Sequence, residues 1–289
     1  MGRLLRADAV VHTGAASMRR KMLTRLSRHA YATVAKLLTG FDHQLSVAAV
    51  LAGAMPGDVF VDDPVRPSAV FVHSPEGNFV GGDPADVRLI AGLREHLAAT
   101  IMPERDEDLV LSFDHDGWPP AAQVIMPDLD VFAVPRRHYV HRKPRPQPNP
   151  PPGYRIAPID ATLLQHRQVP SHLRNWMGSN WGSEDAFLAH GFGAAALRGE
   201  DLASWSLADC IVADRAEIGI HTAPEHRRRG LATQVAAAAV AIAFDRGLTE
   251  VGWHCNDDNV GSYRTAESVG FTLQRRYRIF GYRVPAHRH

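Results

Sequence analysis

The sequence predicts an α+β protein in two parts, an N-terminal α/β domain over 1–146 and a C-terminal domain over 147–289. Three observations carry that reading. The chain has 289 residues, too many for one ordinary compact domain and enough for two of roughly 150 each. The stretch Tyr139–Tyr154 reads YVHRKPRPQPNPPPGY. Alternating prolines give no N–H to a helix or ladder and favour an extended spacer, which puts the boundary near residue 146. On both sides the hydrophobic pattern runs in one order: helix, antiparallel strands, helix, strand, helix, strands. No residue-level repeat accompanies it.

Taken in order, residues 1–36 carry eight basic side chains against one acid, Asp8. Met18, Met22, Leu23, Leu26 and Ala30 recur at helical spacing, so an amphipathic basic helix is expected over about Ser17–Leu38. A transit peptide, a surface for acidic partners and a helix packed on its own domain are all open readings of it. A helix follows near Asp42–Met55, then strands Val59–Asp62 and Ala69–His73, a turn at Pro75–Asn78 and strand Phe79–Gly81. Asp83-Pro84 starts a helix running to Ala99. Strand Leu109–Phe113, a short helix near Pro119–Ile125 and a strand pair within Asp130–His141 complete this part. The second part opens with strand Tyr154–Ile159 and helices near Ala161–Gln168 and Ser183–His190. Strands Ala194–Leu197, Leu202–Val212 and Glu217–Thr222 lead into a long helix, Arg229–Arg246. Strand Val251–Cys255, helix Val260–Val269 and a β pair over Phe271–Val284 end it.

Composition excludes several classes. Apolar residues at 45% and charged residues at 22% rule out wholesale disorder. Lys plus Arg is 32 against 31 acids, a net charge of +1, without the basic excess of a general nucleic-acid binder. Two cysteines, Cys210 and Cys255, give no disulfide framework and no CxxC pair. His254 beside Cys255 lacks metal-ligand spacing, so no metal is expected. Apolar runs such as Val235–Phe244 fall short of the ~18 residues of a membrane span, and no secretory leader is visible. The expectation is a cytoplasmic protein with no membrane or nucleic-acid partner. The oligomeric state, homodimer included, is not fixed by sequence, and Pro-x-x-Pro spacing near 144–152 leaves an SH3-type ligand as a rival to a plain spacer.

The informative segment is Glu217–Ala232, EIGIHTAPEHRRRGLA. A β run ends at Thr222, Pro224 breaks it, and a basic turn leads through Gly230 into the long helix. The first N–H groups of a helix lack partners and point outward at the positive end of its dipole. Gly230 lets an anion approach the backbone and Ala232 leaves space, while Arg227, Arg228 and Arg229 add charge for a polyphosphate. A surface turn with three solvated arginines is the plainer reading of the same residues. Further on, VGWHC at Val251–Cys255 is followed by the helix-start run Asn256–Asn259, and helix Val260–Val269 closes on Gly270-Phe271.

Together, Arg-x-x-Gly-x-Ala at Arg227–Ala232 and Asn-x-x-Ser…Ala-Glu-x-x-Gly-Phe at Asn259–Phe271 resemble the GNAT superfamily of acyl-CoA-dependent N-acyltransferases. Glu-Ile-Gly-Ile-x-Thr, Trp253 and Asn-x-x-Ser resemble the subgroup that includes zwittermicin-resistance acetyltransferases. The match spans about 183–272. It implies a C-terminal GNAT fold, a mixed, mostly antiparallel sheet flanked by helices. The first part lacks Arg-x-x-Gly-x-Ala, so as a tandem second copy it would be degenerate. The resemblance also implies acetyl-CoA as cofactor. The backbone of Ile220 and Thr222 would meet the pantetheine arm and thioester. N–H groups from Arg228 through Gly230, Leu231 and Ala232 to Thr233 would hold the pyrophosphate, and Asn259 and Ser262 would flank the pantetheine.

The implied activity is transfer of an acetyl group to a primary amine of a small molecule by direct attack on the thioester. A non-catalytic acyl-CoA-binding or regulatory module and an acetyltransferase of a peptide or protein amine are the alternatives. An ammonium must lose its proton first, which calls for a carboxylate or imidazole. Glu217, on the strand leading to the thioester, is the first candidate for the base, His221 the second, and Glu184 or Asp185 the third. Strand alternation sets Glu217, Gly219 and His221 opposite Ile218, Ile220 and Thr222, unless a β-bulge in that strand changes the parity. The family's usual Tyr acid falls at Ala266, so Tyr263 or Ser262 is the substitute, or water. Trp176, Trp181, Phe187 and Phe192 stand where the resemblance places the acceptor lid, as pocket or as core.

Overall fold

In the computed structural model, which describes residues 23–102, 108–143, 149–165 and 169–284, twelve strands join one continuous sheet. In chain order they are β1 (Thr24–Arg25), β2 (Asp58–Val61), β3 (Ala69–Ser74), β4 (Gly77–Gly82), β5 (Leu109–Phe113) and β6 (Val131–His141), then β7 (Arg155–Pro158), β8 (Gly193–Arg198), β9 (Asp201–Val212), β10 (Arg215–Thr222), β11 (Glu250–Asn256) and β12 (Thr272–Tyr282). Across the sheet the order is β1-β2-β3-β4-β5-β12-β6-β11-β10-β9-β8-β7. Matching β1–β6 to β7–β12 makes that order read the same from either end. Only β4–β5 and β10–β11 run parallel, so the sheet is mixed and mostly antiparallel, as the sequence predicts.

The centre of the sheet is an exchange. β6 lies between β11 and β12, and β12 lies between β5 and β6, so the last strand of each part is hydrogen-bonded into the other. The boundary expected near 146 falls in 144–148, outside the described residues.

Helices α1 (Leu45–Ala52), α2 (Val87–His96) and α3 (Pro119–Ile125) flank the first part. Helices α4 (Ala161–Leu164), α5 (Ser171–Trp181), α6 (Glu184–His190), α7 (Leu231–Asp245) and α8 (Val260–Val269) flank the second. α7 buries Leu231, Val235, Ala236, Ala239 and Ala243 against the sheet. Small side chains let it lie close to β8, β9 and β10, which makes it a rigid base for its own N-terminus.

Four expectations are corrected. Of the helix expected over Ser17–Leu38, residues 17–22 lie outside the described residues, Thr24–Arg25 is a strand, and the helical segment starts at Arg28. There Leu23 and Leu26 are buried while Thr24 and Arg25 pair with Val61 and Phe60, so sheet pairing prevails over helical periodicity. The strand pairs expected within Asp130–His141 and Phe271–Val284 are each one long strand. Pro135 falls one residue beyond the β11 ladder, where its missing N–H breaks no bond on that side. Helix α5 was not predicted, because Gly178 and two asparagines weaken its helical signal.

The sheet opens at one place in the second part. β10 pairs with β11 only from Arg215 to Glu217. Beyond that, β10 follows β9 as far as Thr222, and β11 follows β6 as far as Asn256.

Candidate active site

The mouth of this opening is the turn from β10 into α7. Gly230 is the N-cap of α7 in the left-handed conformation, with φ 77°, and no side chain caps the helix there. Arg228 is left-handed too, at φ 58°. Left-handed residues two apart, with Arg229 between them, turn neighbouring N–H groups toward one concavity. A Cβ built on Gly230 would meet nothing within 4 Å, so the concavity is open. The cleft beside it, about 510 Å³, is lined by Ile220, Thr222, Arg227, Gly230, Ala232 and Asn259 among others. Leu231 is buried and also lines the cleft. Arg227 donates from Nε to the Thr222 carbonyl (3.2 Å), bracing the turn against the strand, while Arg228 and Arg229 are exposed. Across the cleft, Asn259 caps α8 by accepting from the Ser262 N–H (3.0 Å), and Ser262 Oγ accepts from Trp253 Nε1 (3.0 Å).

Ile220, Asn259 and Ser262 also line a second cavity of about 360 Å³, deeper in the opening. Three carboxylates meet there, Glu76, Asp209 and Glu217. A register shift between Glu217 and Ile218 leaves Asp209 as the extra residue of β9. The bulge therefore sits in β9 and the parity of β10 is kept. Ile218 and Ile220 pack with α7 residues, while Glu217 takes the other face. Asp209 accepts from Trp176 Nε1 (2.8 Å) and Asn180 Nδ2 (3.3 Å), both on α5. Asn180 Nδ2 also donates to Glu76 (2.6 Å), from the β3–β4 turn of the first part.

Glu217 is buried. Its Oε1 accepts from the Leu45 N–H at the start of α1 (2.8 Å) and lies 3.1 Å from His254 Nε2. Nε2 also faces the His43 carbonyl (3.0 Å), so with two acceptors before it this nitrogen carries the proton. That leaves His254 Nδ1 to accept from the Tyr277 hydroxyl (2.9 Å). Burial alone would raise the Glu217 carboxyl, but His254 and the Leu45 N–H outweigh it and hold it below the usual carboxylate range. Asp209 goes the other way. Burial and then the neighbouring Glu76 push it well above its ordinary value. Glu76 is an exposed residue overall, yet its carboxyl is turned into the cavity, where desolvation and Glu217 raise it. The cavity thus sets a carboxyl held below its ordinary range beside two raised above theirs.

A family model for GNAT acetyltransferases matches residues 35–280. The chain belongs to that family. Over 267 residues this GNAT chain is 26% identical to an uncharacterised N-acetyltransferase, YdfB, of Bacillus subtilis strain 168, covering 90% of the chain and 98% of that protein. A GCN5-related N-acetyltransferase-like protein from Streptococcus suis 89/1591 shares its fold, with TM-score 0.69 and 20% identity over 88% of this chain and 99% of that one. A tandem GNAT protein from the clavulanic acid biosynthesis pathway does so with TM-score 0.57 and 12% identity, over 91% and 98%. The GNAT family makes the chain an N-acetyltransferase, and enzymes of this family use acetyl-CoA.

The other sites read from sequence lie as follows. His221 stacks on Trp205 (ring centroids 4.5 Å apart) and packs edge-on against His172, at the rim of the outer cleft and away from the carboxylates. Burial lowers its imidazole. Tyr263 lies under the Arg137 guanidinium, 3.9 Å from ring centroid to carbon, and lines neither cavity. Ser262 lines both. Glu184 is ion-paired with Arg174, and Asp185 is exposed in the first turn of α6. Of the lid aromatics, Trp176 faces the inner cavity, whereas Phe187 and Phe192 are buried core. Burial pushes up the thiols of Cys210 and Cys255. Among the described residues no cluster suited to a metal ion occurs, and no helix is long and apolar enough to cross a membrane. Sequence reading missed Glu76, Asp209, Asn180, Tyr277 and Arg136, all brought to the site by pairings across the chain. Asp209, the one charge in the segment SWSLADCIV, was a local signal.

Proposed function

We propose that the protein is an acetyl-CoA-dependent N-acetyltransferase acting on the primary amine of a small molecule in the cytoplasm. The observation that carries this reading is the join between the two cavities: the opening of β10 from β11 leads from an uncapped helix N-terminus straight to three carboxylates. The residues fit the cofactor. Uncapped N–H groups at Gly230–Thr233 and a left-handed pair at Arg228 and Gly230 suit a pyrophosphate, with Arg227–Arg229 adding charge. Ile220 and Thr222 on one side and Asn259 and Ser262 on the other suit an extended arm. When bound, acetyl-CoA supplies an activated acetyl thioester.

The chain's own part is to seat a cation and take its proton. An ammonium beside Glu217 is held by charge, with Asp209 and Glu76 offering further oxygen acceptors. Glu217, ionised at neutral pH, receives the proton. His254, donating from Nε2 to the same Oε1 and accepting from the Tyr277 hydroxyl at Nδ1, holds the carboxylate in place. Ser262, among the described residues the one hydroxyl side chain common to both cavities, would be the group to donate to the leaving sulfur.

The palindromic strand order supports reading the first part as a second, degenerate copy of the fold. The Glu-Ile-Gly-Ile-x-Thr strand with Trp253 supports placing the chain beside the zwittermicin-resistance-like subgroup. The test is thiol release from acetyl-CoA across a library of amines, with cofactor binding measured in parallel. Turnover with at least one amine supports the reading. Tight binding without turnover on any amine sinks it and leaves a binding module.

A further inference from the structure

Arg136 stands apart from the arginines around it. Arg137 and Arg276 pair with Asp257, Arg275 with Asp42, and Arg278 with Asp116. Among the described residues, the hydrogen bonds of Arg136 are to neutral groups, its Nε reaching the Tyr277 hydroxyl (3.3 Å) and its Nη1 donating to Asn256 Oδ1 (3.1 Å), while Glu76 feels its charge without a salt bridge. A half-buried guanidinium is costly without an anion, and its planar fork suits two oxygens of one anionic group.

Its position is equally distinctive. Arg136 lines the inner acidic cavity of about 360 Å³, and it also lines the two cavities beyond it, of about 270 Å³ and 690 Å³. It therefore stands where the acidic cavity continues toward the first part of the chain. A short chain of hydrogen bonds joins it to the base: Glu217 to His254, His254 to Tyr277, Tyr277 to Arg136. The lining thus changes sign along its length, with carboxylates at the thioester end and, at the other, a guanidinium that makes no salt bridge among the described residues.

We propose that the acceptor is an amine that also carries an anionic group, a carboxylate or a phosphate, and that Arg136 binds that group while the amine faces Glu217 and Asp209. This rests on the N-acetyltransferase reading above and narrows its substrate class. Glu76 is the rival partner for Arg136 within the chain, but Asn180 holds its carboxyl on the Asp209 side.

The test uses the full chain with acetyl-CoA and three matched sets of acceptors: straight-chain ω-amino carboxylates, the corresponding aminoalkyl phosphates, and the carboxamides of the first set. The wild-type chain should favour one of the anionic sets over the amides by about ten- to a hundredfold in kcat/KM, the scale of one charge-assisted contact. The preferred set decides between carboxylate and phosphate. Arg136→Gln should bring that ratio close to one, mainly through KM, and Arg136→Lys should restore part of it. Acetyl-CoA affinity, measured on each variant, confirms that the outer cleft is formed. Equal use of anionic acceptors and amides by the wild-type chain overturns the proposal while the N-acetyltransferase reading stands. A preference that survives Arg136→Gln and Arg136→Lys also overturns it. Absence of turnover with every amine removes both.

Discussion

The palindromic sheet invites a comparison of the two places where parallel strands meet, β4–β5 and β10–β11. At β10 the strand runs on from its last parallel pair, Glu217 with Gly252, to Thr222, and the gap stays open. At β4 only Gly81 and Gly82 follow the last pair, Val80 with Phe113. The gap there is stitched shut: Asp114 N–H donates to the Val80 carbonyl (3.1 Å), and the Gly82 N–H donates to the Asp114 carboxylate (3.3 Å). A side chain at Gly81 would collide with the Leu37 carbonyl at 2.1 Å, so the helical segment Arg28–Phe41 occupies the room a ligand would need. The helix that follows is capped from within, since Asp86 accepts from the Arg88 and Leu89 N–H groups (2.8 and 3.2 Å). Two turns at matching positions thus differ in who satisfies the helix N-terminus. In one it is the chain's own carboxylate; in the other the place is left for a ligand.

The largest expected effect tests whether chemistry belongs to the open side alone. Glu217→Gln should lower kcat/KM by about 10²–10⁴-fold, the usual cost of losing a general base. Acetyl-CoA affinity should stay close to wild type. In the wild type the Glu217 carboxyl lies below the ordinary carboxylate range, so activity is present above that point and falls as pH drops through it. The variant's pH–rate profile should lack this acidic limb, and a variant with wild-type turnover would make Glu217 structural.

Next in size is the seam where the parts meet. His43 and His138 pack near His254, and burial lowers them to about 4 and about 3. In the unfolded chain both titrate near 6.5. Between those values the unfolded chain binds more protons, so stability is full above about pH 6.5 and is lost on acidification toward pH 4. For His43 the loss is on the order of 3 kcal/mol. Thermal midpoints against pH should show it, and His43→Gln should flatten the curve. An unchanged curve would mean the seam opens to water.

Gly230→Val should weaken acetyl-CoA binding at least about tenfold, near 1.4 kcal/mol, by filling the concavity at the helix mouth. Calorimetry beside a thermal melt separates this from unfolding. Smallest is the mirror experiment. Asp86→Ala should cost about 1 kcal/mol as a lost cap, yet create no second site, because Leu37 still blocks Gly81. One acetyl-CoA per chain should bind before and after; two would erase the distinction between the turns.

Much of the fold was legible because its signals are local. Gly-Asn and Asp-Arg turns, the glycines after α7 and α8 and the alanine-rich α7 marked many of the strands and helices. The cofactor turn was legible for the same reason, since Arg227–Thr233 is contiguous. What was hidden depends on partners far apart. Leu45 donates to Glu217 across 172 positions, and Asn180 reaches Glu76 across 104. No periodicity announces such a meeting. Tyr277 and Arg136 lie on strands each expected to be a hairpin, and a hairpin would have taken both from the cleft. Tyr263 was proposed from helical spacing to the family position, but Arg137 covers its ring.

The exchange of β6 and β12 also has a bearing on how the chain is made. Of the twelve strands, the last in chain order occupies the middle of the sheet, not its edge. Until β12 arrives, β5 and β6 each present an unpaired ladder, with Leu109, Leu111, Tyr139 and Val140 uncovered, a surface prone to sticking. The first part therefore cannot settle while the second is still being translated. Completion of the sheet and closure of the carboxylate cavity become one late event.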